Sequence, residues 1–142
     1  PLGTMDYVAV ASADYAARHC PKGMTAHNFH KLPFIAFNRK DHLQHSFVEQ
    51  AFGLPRVMLK QLFVPSSEGQ IRAVRAGWGV SVVPDLGVRE ALASGELVNV
   101  TPRHRQGVAL YWHCWNLSSD VLDALSAALR GAASRDLRQA KA

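Results

Sequence analysis

The run from Ser66 to Pro84, SSEGQIRAVRAGWGVSVVP, limits the possible folds more than any other part of this chain. Two serines stand ahead of a mixed charged and apolar stretch, where a serine oxygen can accept from the unpaired N–H groups that open a helix. Gly77 supplies a helix stop. Val80 to Val83 is then a short apolar run of strand type, closed by Pro84 and Asp85. A strand reached through a helix from a preceding strand runs parallel to it. The serines that open the helix and the Pro84-Asp85 pair that closes the strand are therefore expected on one rim of a sheet. Open α/β sheets take small ligands at that rim, and helix N-termini there favour an anion.

The same alternation extends along most of the chain. Asp6 to Ser12 reads as a strand, Ala13 to His19 as a short helix, and Thr25 to Leu32 as a second short helix capped by Thr25. Leu32 to Phe37 is a continuous apolar run, as expected of a strand covered on both faces. Asp41 is positioned to cap a helix whose stripe is Leu43, Phe47, Val48, Ala51 and Phe52, with Gly53 and Pro55 as the stop. Met58 to Val64 is a strand leading into the Ser66 helix. Leu86 to Ala93 is a short helix before the Ser94-Gly95 turn, and Leu97 to Val100 a short strand. Val108 to Trp115 reads as a long aromatic strand that buries Cys114 and holds His113 in the core. A last helix is capped by Ser118 or Ser119, buries Leu122, Leu125 and Leu129, and either ends or bends at Gly131. The polar tail beyond is expected to fray.

This pattern predicts an α/β fold, a mostly parallel sheet flanked by helices with right-handed crossovers. The loops after the strands at 33–37, 58–64 and 80–83 then converge. They bring together Asn38 and Asp41, then Ser66, Ser67 and Glu68, then Pro84 and Asp85. Each has a plain structural use: Ser66 or Ser67 as a cap, Glu68 as a complement to the helix N-terminus, Asp41 and Asp85 as turn or capping groups. One serine can cap while the other donates to a ligand.

Composition narrows the function classes. No apolar run approaches the ~20 residues that span a bilayer, and no basic, then apolar, leader opens the chain. The chain does not begin with Met and enters a strand pattern almost at once, which reads as a fragment. Cys20 and Cys114 are the only cysteines, so a disulfide framework is not expected and a reducing cytoplasm is the simpler reading. The formal charge of +5 is spread along the chain without aromatic-basic interleaving, which reads as a solvated surface rather than a nucleic-acid face. No GxSxG elbow, phosphate-binding GxxxxGK[ST] loop or HExxH helix is present, and Gly77-Trp78-Gly79 follows a helix instead of opening one. Trp78, Trp112 and Trp115 read as packing or interface residues. His42 and His45 share a helix face without a third ligand at metal spacing, so neither a metal nor a cofactor is expected.

The ordered set of features resembles the effector-binding half of bacterial LysR-type transcriptional regulators. It comprises Pro1-Leu2-Gly3 before the strand Tyr7 to Ser12, and Val74 to Pro84 in the form V-x-x-G-x-G-(I/V)-x-x-(L/V)-P. It continues with Ala91 to Val98 (ALASGELV) and closes with Leu110-Tyr111-Trp112-His113. The last of these is similar to the regulators of arginine and lysine export, once described as inhibitors of replication initiation.

The resemblance implies a two-lobed domain like the periplasmic binding proteins. The second lobe would span about 13–102, and about 103–142 would return to the first; the winged helix-turn-helix would lie outside this chain. It also implies an effector between the lobes, lysine or arginine, with its carboxylate near Ser66 and Ser67 and its cationic end met by Asp41, Glu68 or Asp85. A dimer or tetramer, DNA through the missing head and RNA polymerase are the implied partners, without a membrane. The alternative is a solute-binding protein of a transporter, whose fold would be similar.

Overall fold

The protein is described from a computed structural model, over residues 1–140. The chain divides into two units. The larger is Tyr7–Gln106, and the smaller joins Pro1–Asp6 to the residues from Gly107 onward.

In the larger unit, β1 (Gly3–Ser12, which begins in the smaller unit) leads into α1 (Ala13–His19). Then follow β2 (Pro33–Ala36), α2 (Leu43–Phe52), β3 (Lys60–Phe63), α3 (Ser67–Arg75) and β4 (Ser81–Pro84). α4 (Arg89–Ser94) and β5 (Leu97–Asn99) complete it. β2 and β3 pair in parallel, with Phe34 opposite Gln61 and Ala36 opposite Phe63. β2 also meets β4 in parallel at Phe34 and Val80, where the Ile35 N–H reaches the Val80 carbonyl at 2.8 Å.

The parallel arrangement thus holds for β3, β2 and β4. β1 departs from it, running antiparallel to β4 with Val8 opposite Val83, and antiparallel to β5 with Ala11 opposite Val98. These pairings join residues more than seventy positions apart, beyond any local pattern.

Alternation along the strands sorts side chains onto two faces. Ala9, Ala11, Phe34, Val80 and Val82 pack with Phe47 and Val48 of α2. Val8, Val10, Ile35 and Val83 pack with Ala73 and Val74 of α3. Helices that follow the neighbouring parallel strands β2 and β3 therefore cover opposite faces. Open α/β sheets seat ligands beside such a divergence, at the strands' C-terminal ends.

The run from Ser66 to Pro84 is built as its residues dictate. The Ser66 hydroxyl accepts from the Gly69 N–H at 3.0 Å and caps α3. Gly77 takes the left-handed conformation (φ 78°), and the Gly77 and Trp78 N–H groups return to the Val74 and Ala73 carbonyls. This is the Schellman arrangement. Gly79 has a different task. A Cβ there would fall on the Pro33 carbonyl, so only glycine lets β4 start against β2.

Several expectations need correction. Thr25 to Leu32 is not a helix. The Asn28 side chain accepts from the Thr25 N–H at 2.8 Å and donates to the Gly23 carbonyl, which fixes a turn, and only Phe29–Lys31 forms a 3₁₀ turn before Pro33. Met58 is 86% exposed and lies outside β3. Asp41 stands one residue before the cap position, which His42 occupies, yet its carboxylate still accepts from the Leu43 N–H at 3.0 Å. Leu86 to Ala93 is split into a 3₁₀ turn, Asp85–Gly87, and α4.

In the smaller unit, β6 (Gln106–Leu110, which begins in the larger unit) pairs with β1, and α5 (Asp120–Asp136) is capped by Ser119. The Leu2 N–H reaches the Leu110 carbonyl at 2.8 Å. Tyr111 onward has no strand alongside it, so the expected strand to Trp115 stops at Leu110. Cys114 and His113 are exposed rather than buried, and Trp115 is 80% exposed. The buried residues of α5 are Ser126 and Ala133, not the leucine stripe. Ser126 accepts from the Trp112 indole N–H at 3.0 Å. The helix continues through Gly131. Part of the tail expected to fray is ordered: Arg138 bridges to Thr4, and its guanidinium sits 2.8 Å from Asp6, whose hydrogen bonds and charge raise the Arg138 pKa. Residues 141–142 lie outside the described residues.

Candidate functional site

Because β2, β3 and β4 are parallel, their C-terminal ends share an edge, and the connections that leave them build the candidate site. After β2 the chain turns through Asn38 to Asp41. The Asn38 side chain accepts from the Lys40 N–H at 2.8 Å, and the Asp41 carboxylate accepts from the Phe37 and Leu43 N–H groups at 3.0 Å each. Both residues therefore shape this loop as short polar side chains do in turns. After β3, the Val64 N–H bonds to the Ala36 carbonyl at 2.9 Å, which holds the start of α3 beside the end of β2. The Arg39 guanidinium lies 5.9 Å from the centre of the Phe63 ring, a cation–π contact between these connections.

Ser66 uses its hydroxyl on the Gly69 N–H, and its carbonyl accepts from Gln70. The N–H groups of Ser67 and Glu68, first in α3, are those for which a helix offers no internal partner. Ser67 is exposed beside them. The two serines thus divide the work: Ser66 is the cap and Ser67 presents its hydroxyl at the helix start.

The three carboxylates of the rim already have partners. Glu68 pairs with Arg72 at 2.7 Å on the exposed face of α3. Asp41 holds two backbone N–H groups. Asp85 follows Pro84, the last residue of β4, and its side chain is only 15% exposed. It faces Arg105 at 3.3 Å and Arg89 at 3.7 Å. With their partners Arg72, Arg89 and Arg105, and with Arg39 and Lys40, five cations accompany these three carboxylates. Together with the α3 N-terminus, that balance suits a small ligand bearing a carboxylate.

Sequence reasoning missed Arg105 and Gln44. Arg105 lies in the stretch Pro102 to Arg105, which carries no element of its own; its signal is the basic cluster Arg103-His104-Arg105. Gln44 is fully buried, and its amide bonds to both backbone groups of Val82. A glutamine three and four residues before Phe47 and Val48, on the buried face of a helix, was the available clue. Of the histidine pair, His42 is exposed and His45 has its Nδ1 buried. Among the described residues no group of three or more His, Cys, Asp or Glu gathers as metal ligands would, and no helix is long and apolar enough to cross a membrane.

Comparison with known proteins adds to this geometry. A family model described as the LysR substrate binding domain matches residues 1–134. The regulator ArgP of Salmonella typhi is 36% identical over 138 residues, which is 97% of this chain and 46% of that protein. LysG of Mycobacterium bovis is 40% identical over 135 residues, 94% of this chain and 44% of that protein. Both are HTH-type transcriptional regulators. The chain therefore spans about half the length of the curated relatives it matches.

Among solved structures, ArgP from Mycobacterium tuberculosis superposes with a TM-score of 0.88 at 38% identity, covering 99% of this chain and 48% of that one. Full-length LysG from Corynebacterium glutamicum with the effector Arg bound superposes with a TM-score of 0.78 at 28% identity. There the match covers 96% of this chain and 46% of that one.

Proposed function

Since this chain belongs to the LysR substrate-binding domain family, we propose that it is part of the effector sensor of a DNA-binding transcriptional regulator, and that its effector is a basic amino acid, arginine or lysine. The observation that carries this reading is the rim itself: parallel strand ends, the open N-terminus of α3 and flanking cations at one edge. The arginine bound to LysG of Corynebacterium glutamicum supports the choice of ligand class.

The effector carboxylate binds the Ser67 and Glu68 N–H groups and the Ser67 hydroxyl, where helix-end dipoles and charge-assisted bonds act together. Asn38 and Asp41 shape the loop beside it. The ligand's guanidinium or ammonium needs an acceptor, since an unpaired cation taken out of water costs several kcal/mol. Asp85, whose side chain is mostly buried and holds no backbone N–H, takes that part by exchanging Arg105 for the ligand. Glu68 and Asp41 stay structural.

No covalent step is involved. The ligand acts by binding one arrangement of the regulator better than another, the only way it can shift their populations. The regulator works in the cytoplasm as a dimer or tetramer, meets DNA through an N-terminal helix-turn-helix outside this chain, and reports to RNA polymerase.

Calorimetric titration tests the ligand class. L-arginine or L-lysine should give saturable heat and L-glutamate none, with Ser67→Ala weakening binding by about tenfold. Binding of glutamate in preference to both basic amino acids would sink the assignment.

A further inference from the structure

A cleft lies at the end of α2 away from the rim. It has a volume of about 430 Å3 and is walled by Met24, Phe52 and Val100. Asp41 stands before the first turn of α2 and Phe52 ends its last, so about 15 Å of helix separates this cleft from the rim. Gly23, at φ 90°, and the Met24 N–H, bonded to the Val100 carbonyl at 2.8 Å, bring the loop after α1 against the end of β5.

Two residues of its wall each hold a buried polar atom with no hydrogen-bond partner, the Thr101 hydroxyl and His104 Nε2. Thr101 is 6% exposed, and its backbone N–H is already bonded to the Asn99 side chain at 2.9 Å. The His104 ring is fixed edge-on to Phe47, with centroids 4.7 Å apart. Burial lowers the His104 pKa, so this imidazole is neutral at pH 7. Buried polar atoms are nearly always satisfied, and an unsatisfied one is costly. Two such atoms in one wall leave hydrogen-bonding capacity beside the cleft unused. Two cations, Lys22 and Arg103, stand at the same cleft, and no acidic residue lines it.

We infer that this cleft is a second ligand site, taking a small carboxylate with an apolar body: the carboxylate faces Lys22, Arg103 and the Thr101 hydroxyl, and the body lies against Met24 and Phe52. The volume falls in the range of small-molecule sites, and apolar walls with a few convergent polar groups are their usual make-up. The inference stands independently of the amino-acid reading of the rim, because it uses none of the rim's residues. A ligand here would touch both α2 and the stretch 100–104 that leads to Arg105, and so could tune the Asp85 contact at the rim.

The chain's three methionines provide the test. Met24 lines the cleft, while Met5 lies in β1 and Met58 is exposed elsewhere. With the methionine methyls labelled with 13C, 3-phenylpropanoate should shift the Met24 signal saturably and leave Met5 and Met58 in place. The uncharged 3-phenylpropanamide should bind about tenfold more weakly, and Thr101→Val and Lys22→Ala should each weaken the acid by a similar factor. The ligand-free signal of Met24, which is 5% exposed, reports that each variant is folded when it stays at its position in the unsubstituted chain. An unmoved Met24 signal in the unsubstituted chain means that water alone fills the cleft and overturns the proposal. Equal binding of acid and amide, or full affinity in both variants, overturns it as well.

Discussion

The side-chain amide of Gln44 makes with Val82 both of the hydrogen bonds that a neighbouring strand would make. Its Nε2 donates to the Val82 carbonyl at 3.0 Å and its Oε1 accepts from the Val82 N–H at 2.8 Å. β2 and β4 meet around Phe34 and Val80, with the Ser81 hydroxyl donating to the Ile35 carbonyl at 2.7 Å; further along, the helix that follows β2 supplies the partner of Val82. One glutamine therefore lets the strands part at the rim without orphaning a backbone group in the core.

Replacing Gln44 with Leu keeps the volume and removes both bonds. Val82 is 2% exposed, so its N–H and carbonyl would be left dry. Each such group costs about 1–3 kcal/mol, so the expected loss for the two is about 2–6 kcal/mol. A urea midpoint that falls with an unchanged m-value confirms it. An unchanged midpoint would show that Val82 finds another partner.

Gly79 should tolerate no side chain. A Cβ at this position collides with the Pro33 carbonyl, while one at Gly95, with φ 81°, meets nothing within 4 Å. Gly95→Ala should cost only the left-handed penalty of about 1–2 kcal/mol. Gly79→Ala must push β4 away from β2 and should cost about 3 kcal/mol or more. Thermal unfolding of the two variants side by side measures the difference.

The second glycine of the Gly77-Trp78-Gly79 signature is thus explained by packing, and this shows which parts of the fold were legible beforehand. Ser66, Gly77 and Pro84 act on their immediate neighbours, so the helix, its stop and the strand could be placed from sequence. The common rim followed from them, because strand, helix, strand leaves few topologies. The antiparallel insertion of β1 depends on pairings such as Val8 with Val83, which no local pattern encodes. Val108 to Trp115 has strand composition throughout, yet a strand needs a partner, and the Leu2 contact ends at Leu110. At the site, Ser66 was recognisable as a cap, whereas the pairing of Asp85 with Arg105 spans twenty residues and was invisible.

The two cysteines should differ sharply. Cys20 is 2% exposed, and burial pushes its thiol pKa up, which suppresses the reactive thiolate. Cys114 is exposed. A thiol reagent at pH 8 should modify one cysteine in the folded chain and a second only in urea. Peptide mapping should place the first label on Cys114; a first label on Cys20 would contradict its burial.

His104 gives a signed pH effect. Burial lowers its pKa in the folded chain, while the unfolded chain titrates near about 6.5. Between the two values the unfolded state binds more protons, so this contribution is fully present above about 6.5 and is lost as pH falls through that range. Chemical unfolding at pH 7 and pH 5 should show lower stability at pH 5. His104→Phe should reduce that dependence, and an identical slope would mean that other groups produce it.

The central claim is that the connections after β2, β3 and β4 form the surface that meets the effector. Backbone amide NMR of the chain under increasing L-arginine tests it most directly. The account predicts saturable shifts concentrated at Ser67, Glu68 and Asp85 and in the Asn38–Asp41 loop, with the amides of α1 and β5 unmoved. Shifts that saturate elsewhere and leave Ser67 and Glu68 in place would contradict it.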